Sequence, residues 1–186
     1  MQDVNDTPDY FVFAGGGTGG HLFPALAVVE KLRAGENPAD AAFFCTQKAI
    51  DADILGKANL LAMPLSVQPF PSRPWHWPGF LLRWRASVRQ CLSHFRLRRP
   101  AAVIGAGGYA SGPPVQAALR LGIPVFMLNP DAVPGRANRH MARKPGVSGV
   151  LAQWEVTRQH LPANAPVMVT GCPVRSAFLR VIQDVD

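Results

Sequence analysis

Seven short apolar runs, each followed by a stretch of helical pattern, constrain this chain more than any other feature. The runs are Tyr10–Ala14, Ala41–Thr46, Leu60–Leu65, Ala101–Gly105, Pro124–Leu128, Gly149–Gln153 and Val167–Thr170. Each is about five residues long and apolar throughout rather than alternating, as expected of strands buried on both faces of a parallel sheet. Helical patterns fill the intervals: Phe23–Arg33, Gln47–Lys57, Gly79–Arg98, Pro113–Leu121, Gly135–Ala142, Trp154–His160 and Pro173–Ile182. Strand–helix alternation of this kind predicts βαβ units and an α/β fold, a Rossmann-like doubly wound parallel sheet of about seven strands. There is no repeat, low-complexity tract or internal linker, so one domain is expected to account for residues 1–186.

Composition agrees with a packed core. Of the 186 residues 48% are hydrophobic, which excludes a disordered chain, and no apolar run approaches the ~20 residues of a spanning helix. The opening MQDVNDTPDY carries acids and no basic residue, unlike a secretory signal. Cys45, Cys91 and Cys172 are far apart and lack metal-ligand spacing, so neither a disulfide nor a structural zinc is expected. Charge is distributed unevenly. The net charge is +7, and no Asp or Glu occurs between Ile54 and Pro130, a stretch that carries seven arginines from Arg73 to Arg99. Such a one-sided field suits an anionic partner; a solvated helix face is the alternative that charge leaves open.

In doubly wound sheets, ligands bind beyond the carboxyl ends of the strands, which directs attention to the loops there. Two are rich in glycine. Gly15-Gly16-Gly17-Thr18-Gly19-Gly20-His21 follows the first strand and leads into a helix expected to open at Phe23-Pro24. Such a backbone turns tightly and admits a close ligand, and the helix N-terminus favours a phosphate. Pro24 is placed in the first turn, where its missing N–H costs nothing. Gly15, Gly17 and Gly20 also match G-x-G-x-x-G, but the acid that fingerprint requires at the end of the second strand is missing until Asp51, which weakens a dinucleotide reading. A Walker loop is weaker still, with His21 where lysine is required. The second loop, Gly105-Ala106-Gly107-Gly108-Tyr109-Ala110-Ser111-Gly112-Pro113, again joins a strand to a helix. Two such loops on neighbouring strand ends suit two phosphates, or one diphosphate between them.

GGGTGGHLFPALAVVEKL (15–32), GAGGYASGP (105–113), GIPVFMLNPDAVPGRANR (122–139) and GCPVR (171–175) resemble, in order and spacing, motifs of the MurG glycosyltransferases. The resemblance implies the N-terminal half of a GT-B enzyme that transfers N-acetylglucosamine from UDP-GlcNAc to undecaprenyl-diphospho-muramoyl-pentapeptide in peptidoglycan precursor synthesis. It implies no cofactor and no nucleotide-binding metal. By that resemblance Gly16, Gly17, Gly107, Gly108, Tyr109 and Ser111 lie at the acceptor diphosphate, while Thr18, Gly19, Gly20, Asp131 and Arg175 contact the donor. His21 matches the histidine closing the first loop. A neutral imidazole there can accept the proton of the attacking sugar hydroxyl, and bracing of the loop explains the residue equally well. One segment departs from the family. His-Glu-Gln-Asn is replaced by Leu128-Asn129-Pro130-Asp131, so that Asp131 stands where an asparagine would donate hydrogen bonds.

The basic stretch carries its own signal. Phe80, Trp84, Val88, Leu92 and Phe95 recur at helical spacing and form a stripe with Leu81 beside it, as in a helix covering a sheet. Trp75, Trp77 and Phe80, set between prolines and close to Arg83, Trp84 and Arg85, suit the interface of an anionic bilayer. The resemblance implies a peripheral enzyme on the cytoplasmic face of the inner membrane, and these six residues are its expected membrane contact. Nucleic acid is not expected, because no recognition motif accompanies the arginines. The acceptor domain is expected to end in a linker near residue 183, with the donor domain outside this sequence. A fragment of a longer enzyme, a split transferase with a separate donor subunit, and a non-catalytic module for lipid-linked diphosphates all fit these residues.

Overall fold

A computed structural model describes residues 8–178. Seven strands form one sheet: β1 Tyr10–Ala14, β2 Asp40–Cys45, β3 Leu61–Pro64, β4 Ala102–Gly105, β5 Val125–Asn129, β6 Val147–Ala152 and β7 Val167–Val169. Every pairing is parallel and the order across the sheet is β3-β2-β1-β4-β5-β6-β7. Each of the seven expected strands is present, with ends displaced by two residues at most. The helices are α1 Gly19–Arg33, α2 Ala49–Lys57, α3 Trp77–Leu97, α4 Gly112–Arg120 and α5 Arg136–Ala142.

Side-chain parity along each strand divides the core into two layers. Phe13, Phe43, Ile104 and Leu128 face one side, where Leu22, Leu26 and Val29 of α1 and Leu55 of α2 cover them. Val12, Phe44, Val103 and Met127 face the other, under Val88, Cys91 and Phe95 of α3, Val115 of α4 and Met141 of α5. The apolar runs do not alternate because both faces are covered, and a polar residue on either would be buried without a partner.

Two expected helices differ. Glu155–His160 is a 3₁₀ segment rather than an α-helix, with Thr157 its one buried residue. Pro173–Ile182 begins its helical backbone at Ser176, and residues 179–182 fall outside the described part. A third difference affects the site. Helix α1 opens at Gly19, four residues before Phe23, which places Pro24 inside the helix. Pro24 therefore does not occupy the first turn, and its missing N–H leaves the Gly20 carbonyl without its usual i+4 donor.

Candidate functional site

Strand order places the site. β1 and β4 are neighbours in the sheet, yet α1 leaves β1 toward one face and α4 leaves β4 toward the other. This is the switch point at which a crevice opens beyond the strand ends, and each side of it is one of the two glycine loops. The loops touch. The Ala106 N–H donates to the Ala14 carbonyl at 2.7 Å, and a Cβ on Gly108 would stand 3.0 Å from the Gly16 carbonyl oxygen. Gly16 (φ 142°) and Gly108 (φ 73°) both hold backbone conformations that side chains rarely adopt, so these two glycines are demanded by conformation as well as space.

The first loop rests on a residue that sequence reasoning passed over. Asp51, in the first turn of α2, is fully buried beneath it. Its carboxylate accepts the Gly17 N–H on both oxygens (2.9 and 3.0 Å), the Thr46 N–H (2.9 Å) and the Thr46 hydroxyl (2.5 Å). Lys48 reaches from the same segment to the Gly17 carbonyl at 3.2 Å. The acid looked for as a ribose ligand thus serves as a prop. The only sequence signal for it is an acid in the helix turn that follows the strand beside β1.

Thr18 sits at the N-cap with extended backbone, but its hydroxyl caps nothing and lies 3.1 Å from His21 Nδ1. The first turn of α1 contains no acidic side chain, and the N–H groups of Gly19 and Gly20 have no acceptor among the described residues. An anion is the natural complement to such a helix end.

His21 bridges the loops. In the tautomer with its proton on Nδ1, the ring donates to the Gly16 carbonyl at 3.3 Å, beside the Thr18 hydroxyl at 3.1 Å, and Nε2 is an acceptor. The other edge of the ring abuts the second loop, with Nε2 3.2 Å from the position of a Gly107 Cβ. Both roles foreseen for His21 are therefore compatible, since Nδ1 braces the loop while Nε2 stays available.

A groove of about 930 Å³ extends from this point between the start of α3, α4 and α5. His21, Gly107, Gly108 and Tyr109 form its polar head, and Phe70, Phe80, Leu81, Trp84, Leu119 and Met141 line an apolar body. Asp131, Arg136, His140 and Lys144 stand along one wall. Burial, followed by the nearby Lys144 and Arg143 charges, holds the His140 imidazole below its ordinary range.

The structure brings together Gly16, Gly17, Thr18, Gly19, Gly20, His21, Gly107, Gly108 and Tyr109, with Asp131 on the same groove, and gives Ser111, Arg175, Trp84 and Phe80 contacts other than those expected of them. Ser111 is fully buried and donates its hydroxyl to the Gly108 carbonyl (2.8 Å), so it shapes the second loop rather than reaching a phosphate. Arg175 pairs with Glu30 of α1, Nε to Oε1 at 2.6 Å, while the Ser176 N–H holds Oε2 at 3.0 Å. Burial raises the Glu30 pKa, but hydrogen bonds from Arg175 and Ser176 outweigh it and leave that carboxyl below its usual range. Arg175 therefore sits along α1, away from the loops. Trp84 turns inward: its indole N–H donates to Gln116 at 2.6 Å and its ring lies against Gly112, so it packs α3 on α4. Phe80 is half-buried, against Phe70 and Trp84. By contrast Trp75 is 69% exposed and Trp77 46%, with Arg83 and Arg85 exposed beside them.

Among the described residues no helix is long and apolar enough to cross a membrane, and no cluster of three metal-ligating side chains occurs. Comparison with known proteins agrees with the fold. The chain is 30% identical over 174 residues to a Moorella thermoacetica protein, and 34% identical over 182 residues to one from Solibacter usitatus. Both are named UDP-N-acetylglucosamine--N-acetylmuramyl-(pentapeptide) pyrophosphoryl-undecaprenol N-acetylglucosamine transferase. These alignments cover 93% and 97% of this chain but 46% and 48% of the relatives, so the chain spans about half the length of the curated relatives it matches. Acinetobacter baumannii MurG superposes with a TM-score of 0.72 at 25% identity, over 91% of this chain and 46% of that one. A Neisseria meningitidis UDP-GlcNAc 2-epimerase shares the fold at 14% identity, with a TM-score of 0.67 over 95% of this chain and 49% of the other. Residues 11–146 match the glycosyltransferase family 28 N-terminal domain, and the chain belongs to that family.

Proposed function

We propose that this domain supplies the acceptor side of a transferase moving N-acetylglucosamine from UDP-GlcNAc to undecaprenyl-diphospho-muramoyl-pentapeptide. The observation that carries this reading is the pairing of two glycine loops across the switch point, bridged by His21 and opening into an apolar groove. The open N–H groups at Gly19 and Gly20 suit a phosphate, and the groove suits the isoprenyl end of the same ligand. The donor half of the active site comes from a second glycine-rich α/β domain, in the same polypeptide or as a separate subunit.

In that assembly His21 Nε2 takes the proton from the acceptor sugar's hydroxyl. The hydroxyl oxygen forms a bond to the anomeric carbon of the donor sugar. The bond from that carbon to the diphosphate oxygen breaks, and UDP leaves with the electron pair. Thr18, Gly19, Gly20, Asp131 and Arg175 are the donor contacts that the family resemblance implies; in this reading Gly19 and Gly20 serve the acceptor phosphate instead, Asp131 already lines the groove, and Arg175 must leave Glu30 to serve.

The exposed set Phe70, Trp75, Trp77, Leu81 and Leu82, ringed by Arg73, Arg83 and Arg85, docks on the anionic cytoplasmic leaflet. Peripheral attachment there brings the groove mouth, with Phe70, Phe80 and Leu81, level with the lipid.

Calorimetric titration of the chain with a short-chain isoprenyl diphospho-N-acetylmuramoyl peptide tests the reading. Binding is expected to weaken at least tenfold in His21→Ala, and the chain alone is expected to transfer no N-acetylglucosamine. No binding, or turnover without a donor domain, overturns it. Vesicle flotation tests the docking face: attachment must rise with anionic lipid and fall in Trp75→Ala/Trp77→Ala, and insensitivity to both refutes it.

A further inference from the structure

The segment Arg136–Lys144 carries five basic residues in nine, Arg136, Arg139, His140, Arg143 and Lys144, and the mechanism above uses none of them. Three of the five, Arg136, His140 and Lys144, stand four residues apart and line the groove, while Arg139 and Arg143 do not. Residues four apart share one face of a helix, so α5 presents a single basic row there. The Lys144 N–H donates to the Met141 carbonyl at 2.9 Å, which carries the turn past the end of α5. All three side chains are exposed, and among the described residues none of them is ion-paired.

The facing side of the groove is apolar and comes from other elements, Phe80, Leu81 and Trp84 from α3 and Leu119 from α4. Asp131, the one acid on the groove among the described residues, precedes α5 and pairs with none of the three. The groove thus has two unlike walls, one suited to hydrocarbon and one to anions.

Spacing bears on which anions fit. At ~1.5 Å of rise per residue, Arg136 and Lys144 stand about 12 Å apart along the axis. The two phosphates of a diphosphate share a bridging oxygen and lie too close together to span such a row. An extended peptide covers that distance in about four residues, so carboxylates at separate positions of a peptide match it. We propose that Arg136, His140 and Lys144 bind the carboxylates of the acceptor's peptide, so that the peptide runs along α5 while the isoprenyl chain lies against α3 and α4. This deepens the acceptor reading above and rests on it. Arg136 and Lys144 supply charge; His140, held below its ordinary range by burial and its cationic neighbours, supplies a neutral ring N–H.

Two probes test the assignment: a short-chain isoprenyl diphospho-N-acetylmuramoyl peptide with free carboxylates, and the same molecule with every peptide carboxylate amidated. By calorimetric titration the wild type is expected to bind the free-carboxylate probe about fivefold more tightly at low salt, as two exposed ion pairs allow, and the difference is expected to shrink as salt is raised. Arg136→Gln/Lys144→Gln should erase the difference by lowering affinity for the free-carboxylate probe alone. Arg139→Gln/Arg143→Gln removes the same charge from the same segment but not from the groove, and should keep the difference. Equal binding of both probes by the wild type overturns the proposal and leaves the diphosphate reading standing; binding of neither overturns both. Arg136→Gln/Lys144→Gln weakening the two probes alike overturns it in favour of a phosphate contact, and an equal loss in Arg139→Gln/Arg143→Gln overturns it in favour of the general field of the domain.

Discussion

Asp51→Ala should be among the most damaging single substitutions in the glycine-loop region, although Asp51 touches no ligand in the proposed complex. The carboxylate is fully buried and receives three donors: the Gly17 N–H, the Thr46 N–H and the Thr46 hydroxyl. Hydrogen bonds to a charged partner contribute about 1.5–3 kcal/mol each, and a buried donor left unpaired costs about 1–3 kcal/mol. A water entering the vacated space would recover part of this. The expected loss is therefore about 3–5 kcal/mol, from hydrogen bonds removed and buried donors left unpaired. At roughly 2–4 °C per kcal/mol for a chain of this size, the melting midpoint should fall by about 6–20 °C. Asp51→Asn keeps an oxygen for one donor and should lose about 2 kcal/mol. A matched control lies on the same helix. Asp53 pairs with Lys57 at 2.8 Å but both side chains are largely exposed, so Asp53→Ala should shift the midpoint by about 2 °C or less. Thermal unfolding followed by circular dichroism reads all three variants. Amide exchange at Gly17 localises the effect, because an opening eased by about 3 kcal/mol speeds exchange on the order of a hundredfold. An Asp51→Ala protein that melts alongside Asp53→Ala, with Gly17 still protected, would refute the view that this carboxylate holds the loop.

Gly112→Ala should destabilise by about 2 kcal/mol or more, because the new Cβ collides with the Trp84 ring; a wild-type melting curve together with unchanged Trp84 fluorescence would count against the close α3–α4 packing. At the amino edge of the sheet, Tyr10 hydrogen-bonds His94 at 2.7 Å, and burial, opposed by Arg98 and assisted by Asp40, raises the phenol to about 12. The unfolded phenol ionises near 10, so stability is held below pH 10 and lost between about 10 and 12, by an amount on the order of 2 kcal/mol. Tyr10→Phe should remove that alkaline loss, and urea unfolding of both proteins at pH 9 and 11 checks it. His94 acts in the opposite direction: burial and then Arg98 lower its pKa, so the unfolded chain takes up a proton first as pH falls below about 6.5 and stability declines. His94→Gln should flatten that acid limb. Glu30→Gln weakens the anchor of Arg175 and Ser176, a half-exposed contact of about 1 kcal/mol; limited proteolysis should then cut within residues 171–178 faster, and an unchanged cleavage rate would show that Glu30 does not hold this segment.

What could be read from the sequence, and what could not, divides along the range of the interactions involved. A buried parallel strand is apolar on both faces wherever it sits, so Tyr10–Ala14 or Val167–Val169 is visible without knowledge of its neighbours. The glycine loops are visible for a similar reason: the positive φ at Gly108, and the Gly16 carbonyl 3.0 Å from where its Cβ would stand, favour glycine over any side chain. Ser111, which bonds Gly108 three residues away, is a local miss, whereas Asp51, Arg175 and Trp84 each depend on a partner distant along the chain. Asp51 is visible in the sequence only as the first acid past the second strand; its partner is Gly17, 34 residues earlier, and that pairing exists only once β1 and β2 lie side by side. Arg175 lies 145 residues from Glu30. Trp84 follows the helical stripe as expected, yet only the approach of α4 shows that its N–H belongs to Gln116 and not to a membrane interface. Asn138 combines both cases. The motif containing it was legible, but its orientation depends on Asn129, whose own orientation depends on the Asp131 carbonyl. The family's His-Glu-Gln-Asn is altered here at the positions that set this chain of hydrogen bonds. The altered segment thus has a consequence inside the core, since Asn129, by holding Asn138 Nδ2, fixes which way that buried amide faces.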